Sequence, residues 1–198
     1  MIAPERPPSA VAAQLQSATA RDLVARTWTT VASSTYPELR LLRGALVVIY
    51  GSPGAGKSTM LIRLLDSIRR PTVLLSTEER LGAAVGERLS RLGVHRADFH
   101  VIGRGTVDDV VALCDRVKAD VLGVDSVTAS ILQPEDLRQL IEATGVGLLA
   151  ATLQVTKSGL PAGGNALLHE ADVVIGVEDM RWQVEKTRYQ GGGVCGDV

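Results

Sequence analysis

Gly51-Ser52-Pro53-Gly54-Ala55-Gly56-Lys57-Ser58, followed by Thr59, stands between an apolar run, Ala45 to Tyr50, and a helical pattern that opens at Lys57. This is the spacing of a phosphate-binding loop. Glycines at both ends let the backbone curl so that successive N–H groups point inward, Lys57 adds a positive charge, and the Ser58 hydroxyl is placed to bind Mg²⁺. A Gly-rich turn without chemical consequence would also use these glycines. The strand before and the helix after supply the context that the phosphate reading requires. The nine residues from Gly51 to Thr59 are therefore the expected nucleotide contacts.

Working outward, strand and helix patterns alternate. Lys57 to Arg69 reads as a helix that stops before Pro71, and Thr72 to Ser76 as a strand. A helix is expected from Glu78 to Leu92, with Leu81, Val85, Leu89 and Leu92 on one stripe and Gly93 as terminator. Phe99 to Ile102 is a short strand, and Thr106 with Asp109 resembles a capping box opening a helix from Val107 to Lys118. Val121 to Asp125 reads as a buried strand. Pro134 to Thr144 is a helix with proline in its first turn and Gly145 beyond its end. A strand from Gly147 to Thr152 precedes a Gly-rich loop through Asn165. Asp172 to Val177 and Met180 to Tyr189 read as two strands joined around Glu178 and Asp179. The expected fold is α/β, a mostly parallel twisted sheet with helices on both faces and a C-terminal antiparallel hairpin. Ahead of it, prolines 4, 7 and 8 mark an extended arm, Ser9 caps a helix from Ala10 to Arg26, and a polar stretch follows. Residues 1–40 are thus expected as a flexible arm and helix, and residues 41–198 as the core.

Composition narrows the function classes. A chain of 198 residues, 45% hydrophobic, suffices for one α/β core. The formal net charge of −1 gives no global attraction to nucleic acid, so any DNA contact has to be a local basic patch. Two cysteines, Cys114 and Cys195, are too few for a zinc site or a disulfide framework, and Cys114 falls on an apolar helix face. With no long apolar run and no signal-like segment, a cytoplasmic protein is expected.

Four further places carry chemistry. Asp125 ends a buried strand beside the phosphate loop, where a carboxylate can reach the Mg²⁺ shell, although an aspartate also caps turns. Ser76-Thr77-Glu78-Glu79 follows another strand, and Glu78 is the candidate base for an attacking water; acids at a helix N-terminus are equally explained by the helix dipole. Gln154 follows a third strand, as a γ-phosphate sensor or as a solvated loop residue. Lys186 and Arg188, two apart on a strand, project to one side, either toward a phosphate of a neighbouring subunit or into solvent at a sheet edge.

In this order the pieces resemble the RecA superfamily, and within it the RadA/Sms recombination ATPases. The resemblance covers roughly Leu41 to Gln190. Where that family reads Ser-Gly-Glu-Glu, this chain has Ser76-Thr77-Glu78-Glu79, which carries the family's catalytic glutamate onto Glu78. The family's Asp-Ser pair matches Asp125-Ser126, its His-Val-Thr-Lys segment matches Gln154-Val155-Thr156-Lys157, and its Lys-Asn-Arg-Phe-Gly signature looks like Lys186-Thr187-Arg188-Tyr189-Gln190. Leu167-Leu168-His169-Glu170-Ala171-Asp172 parallels the family's Leu-Glu-His segment and the aspartate after it. The resemblance implies ATP and Mg²⁺ as cofactors, hydrolysis, and a homo-oligomer that completes its site with Lys186 and Arg188. It also implies single-stranded DNA on Lys157 and the loop Ser158 to Asn165. The family's four-cysteine zinc module and protease-like ring domain have no counterpart in these residues, and Ser126 to Gln133 is shorter than the family's loop. A nucleotide-gated interaction module of the KaiC type and a small-molecule kinase are the rival readings.

Overall fold

Strands whose residues are apolar on both faces can be satisfied only inside a covered parallel sheet, and that is how the chain folds. The structure is a computed structural model and describes residues 19–130, 132–155, 166–189 and 193–198. In chain order it contains α1 (Ala20–Ala25), β1 (Thr30–Val31), β2 (Leu41–Leu42), β3 (Ala45–Gly51), α2 (Lys57–Ser67), β4 (Thr72–Ser76), α3 (Ala83–Arg91), β5 (Phe99–Ile102), α4 (Val107–Val117), β6 (Val121–Asp125), α5 (Pro134–Thr144), β7 (Leu148–Gln154), α6 (Ala166–Glu170), β8 (Val173–Glu178), β9 (Arg181–Thr187) and β10 (Cys195–Asp197).

Eight strands form one sheet in the order β10-β9-β8-β3-β7-β6-β4-β5. The six from β8 to β5 are parallel, and β9 and β10 add antiparallel at one edge. Residues of β3 alternate between two cores. Val47 and Ile49 join α2 on one face, while Leu46 and Val48 join the α4, α5 and α6 side on the other. The carboxyl ends of β3, β4, β6 and β7 therefore lie side by side along one edge, where ligands of open α/β sheets bind.

Several expectations need correction. The helix expected from Glu78 begins at Ala83, because residues 77–82 form turns, and Leu81 is 69% exposed instead of lying on the buried stripe. β7 runs two residues past Thr152, which puts Gln154 on the strand and not in the following loop. The hairpin turn is Asp179-Met180, one residue later than expected, with both φ angles positive as a two-residue connection of this twist demands. Beyond the hairpin a third antiparallel strand, β10, completes the edge. The stretch before β3 contains the small β1-β2 ribbon, and Val31, Tyr36 and Leu39 reach the core, where the Tyr36 ring meets Trp182 edge-on at 5.6 Å. The described part of the expected N-terminal helix is α1, opened by a Thr19–Asp22 capping box; its earlier residues lie outside the described ones. Cys114 is buried, and burial pushes its thiol up to about 11.

Gly123 links this architecture to the site. A Cβ there would lie 2.4 Å from Leu65 Cδ1 on α2 and 3.0 Å from Leu74 Cδ1 on β4. Lacking one, β6 lets the helix behind the phosphate loop settle directly on the strand that ends in Asp125. Gly123→Ala is expected to destabilise the fold by about 1–3 kcal/mol through overpacking, seen as a melting temperature lowered by roughly 3–10 °C. An unchanged melting temperature would show that α2 can lift without cost.

Candidate functional site: a phosphate loop facing three strand ends

β3 delivers the chain into the loop, and α2 begins at Lys57 with Gly56 as N-cap at φ 109°, a left-handed conformation open to glycine. The Met180 amide donates to Ala55 O at 3.0 Å, so the hairpin turn braces the loop from behind. Lys57 is 8% exposed and donates to Ser52 O at 2.8 Å. Burial lowers its pKa, opposed by the nearby Glu78 and Asp125 carboxylates.

Asp125 is 5% exposed, and each part of its carboxylate is engaged. Oδ1 accepts from Ser58 Oγ at 3.1 Å and from Thr152 Oγ1 at 2.6 Å, while Oδ2 lies 3.8 Å from an Arg88 guanidinium nitrogen. A helix and two further elements thus converge on one acid. Thr77 fastens the adjacent strand end: its amide donates to Asp125 O at 2.7 Å, and its hydroxyl accepts from the Ser126 amide at 3.1 Å. That clasp sets the turn after β4 beside β6.

Glu78 sits in this turn, five residues ahead of α3, beyond the range at which a helix terminus attracts an acid. Its Oε1 accepts from Ser126 Oγ at 2.6 Å and from Gln154 Nε2 at 2.5 Å. The sequence-derived base and sensor therefore touch. Lys57, Ser58, Glu78, Asp125 and Gln154 line one cavity of about 580 Å³ with Pro53, Gly54, Gly56 and Thr59. Its charged lining holds Lys57, Arg63, Arg88 and Arg91 against Glu78, Glu79 and Asp125, an excess of cations that suits phosphate. The hydroxyl of Ser58 and the carboxylate of Asp125, already within hydrogen-bond reach of each other, fit the oxygen donors that Mg²⁺ takes. A second cavity of about 610 Å³ reaches Gly51 and Ser52 from the other side, but Glu178, Asp179 and Glu185 outnumber Arg181 there. The charge of the first suits phosphate better.

Lys186 and Arg188 are not in this cavity. By register Thr187 shares a row with Val173 and Val47, four residues before Gly51 and so about 13 Å down the sheet. Lys186 Nζ donates to Leu168 O at 2.7 Å and His169 O at 2.8 Å, and Arg188 donates to His169 O at 2.7 Å. Both cations do point the same way, onto the end of α6 in their own chain. Burial and the Arg188 charge lower the Lys186 pKa, partly offset by Asp172 and Glu170. Lys157 and the loop 158–165 lie outside the described residues. No helix among the described residues is long and apolar enough to cross a membrane.

Sequence reasoning missed Thr77, Thr152 and Arg88, and gave Ser126 no role. Hydroxyl residues at strand ends are common, so only the three-dimensional register singles out Thr152 opposite Asp125. Arg88 was hidden in a helix whose start was misplaced.

No family model matches the chain. It is similar to the DNA repair protein RadA of Streptococcus pneumoniae, 30% identical over 155 residues, covering 70% of this chain and 36% of that protein. It is similar also to the RadA protein of Haemophilus influenzae, 28% identical over 176 residues, covering 80% of this chain and 38% of that protein. The chain thus spans little more than a third of the length of these curated relatives. Among solved structures, a KaiC-like protein of Pyrococcus horikoshii superposes with a TM-score of 0.67 at 17% identity, covering 85% of this chain and 94% of that one. With the strand order, the phosphate loop and the Glu78 and Asp125 strand ends in the places just described, the chain is a RecA-like core related to that of the RadA proteins.

Proposed function

We propose that the chain is a magnesium-dependent ATPase that works as an oligomer on single-stranded DNA or recombination intermediates. The observation that carries the hydrolytic reading is the contact of Glu78 with Gln154 and Ser126 in the cavity that also holds Lys57, Ser58 and Asp125. A carboxylate held by neutral donors at the phosphate-facing edge is not tied up in an ion pair and can take a proton from an attacking water. Gln154, bound to the same oxygen, links that base to the strand that precedes residues 156–165. Lys57, freed from Ser52 O, would grip phosphate oxygens, and Ser58 and Asp125 would hold Mg²⁺. Mg²⁺ held there would neutralise negative charge on the phosphates.

The DNA and oligomer parts rest on the relatives named as DNA repair proteins and on Lys157, Lys186 and Arg188. The latter pair lie about 13 Å down the sheet from their own Gly51 and hold α6 carbonyls of their own chain, so a role at a nucleotide would have to be at a neighbour's and would require them to leave those carbonyls. A nucleotide-gated interaction module without DNA activity is favoured instead by the net charge of −1 and by the acidic cavity flanking the loop.

Lys57→Ala is expected to abolish tight ATP binding in calorimetry, whereas Glu78→Gln should bind nearly normally and turn over at least ~100-fold more slowly. Wild-type turnover in Glu78→Gln would return that residue to a structural role. Single-stranded DNA is expected to stimulate turnover and to bind more weakly as salt rises; absence of both effects, with ATP still hydrolysed, would favour the interaction module. Mixing Lys57→Ala with Arg188→Ala is expected to recover activity, because one interface then pairs an intact loop with an intact arginine. A fully active, monomeric Arg188→Ala protein would exclude the shared site.

A further inference from the structure

Glu78 and Glu79 are neighbours in sequence and face the same cavity, yet they are held by opposite kinds of partner. Glu78 accepts from a hydroxyl and an amide, both neutral, at 2.6 and 2.5 Å. Glu79 accepts from the Arg88 guanidinium at 2.5 Å, and its second oxygen, Oε2, is buried without a hydrogen-bond partner. A carboxylate with a spare oxygen, beside a site built for a hard divalent cation, is a competing metal ligand and a competing base. The Arg88 side chain is only 22% exposed and comes from the last turn of α3, so its charge is screened little by solvent. Its other terminal nitrogen stands 3.8 Å from Asp125 Oδ2, the oxygen not taken by Ser58 or Thr152. One planar fork thus spans two of the three acids in the cavity, and the third is left to neutral donors.

We propose that Arg88 is a positioning residue that decides which carboxylate does what: by neutralising Glu79 and steadying Asp125 it keeps Glu79 off the metal, leaving Asp125 as the metal-side acid and Glu78 as the base. This deepens the ATPase reading and rests on it. Without the guanidinium, Glu79 is a free anion within reach of the Mg²⁺ side of the cavity. The metal is then held more tightly and less productively.

The test uses the full chain and a fluorescent ATP analogue titrated with Mg²⁺, alongside ATP turnover. Arg88→Ala is expected to lower the half-saturating Mg²⁺ for nucleotide binding by at least about 3-fold and kcat by at least about 10-fold, with KM for ATP within about 2-fold. Adding Glu79→Gln to it should move both quantities back toward wild type, a recovery that simple loss of packing could not produce. Arg88→Gln keeps the stem and removes the charge, and it is expected to shift the Mg²⁺ midpoint the same way should alanine unsettle α3. An unmoved midpoint in Arg88→Gln, or a double variant no better than Arg88→Ala, would overturn the assignment. If the wild-type chain binds the nucleotide but does not hydrolyse it, the ATPase reading fails while the Mg²⁺ midpoint still decides the role of Arg88. A wild-type chain that binds no nucleotide overturns both.

Discussion

Burying the Asp125 carboxylate to 5% exposure is the constraint around which the rest of the site is arranged. An isolated buried carboxylate is costly, and the cost is met only if its oxygens find donors or cations. β6 reaches the sheet edge as a run buried at every position, so the acid at its end meets water only through the cavity. Donors must therefore come to it. The phosphate-loop helix sends Ser58, the neighbouring strand sends Thr152, and α3 sends Arg88. Each of these partners also fixes the position of its own element, so meeting the needs of one carboxylate organises the mouth of the cavity.

The parallel topology explains why these partners are available together. β3 lies between β8 and β7, while β4 lies on the far side of β6, so the chain leaves the phosphate loop and crosses two strands before returning. The crevice left at that crossing receives the ends of four strands. Each brings a different chemistry: backbone amides from β3, the Thr77 clasp and Glu78 from β4, a buried carboxylate from β6, and a hydroxyl and an amide from β7. Helices cover both faces below, and the cation excess in the cavity makes the remaining opening electrostatically suited to an anion.

Much of this was legible in the residues, for identifiable reasons. β4, β5 and β6 coincide with their expected limits because short apolar runs bounded by turn residues leave little freedom, although β5, at the sheet edge, is only half-buried. α4 and α5 are also placed closely, since Thr106 with Asp109 and Pro134 with Gly145 mark helix ends by local hydrogen bonding. α3 was misread because Leu81 falls on the helical stripe of Val85 and Leu89, whereas Thr77 is tied to β6 and pulls the preceding turn out of helical geometry. Long-range bonds of that kind leave no trace in a local pattern. The same holds for Gln154, whose contact with Glu78 spans 76 positions. For β10, Cys195-Gly196-Asp197 is short and weakly apolar, and it becomes a strand only because β9 offers it an unpaired edge.

The hairpin turn behind the phosphate loop has a mechanical meaning. Met180 bonds forward to Ala55 and accepts from Val198 at 2.8 Å, so the loop, the turn and the final strand meet at one point. From that point β9 runs as a single seven-residue strand, about 23 Å long, to the end where Lys186 and Arg188 grip the carbonyls of α6. β9 is paired with β8, with a shift of register between Val174 and Ile175, and with β10 over Arg181 to Gln183. β9 therefore joins the turn seated on the phosphate loop to the cations that hold the end of α6, so Ala55 and α6 are positioned by one and the same strand.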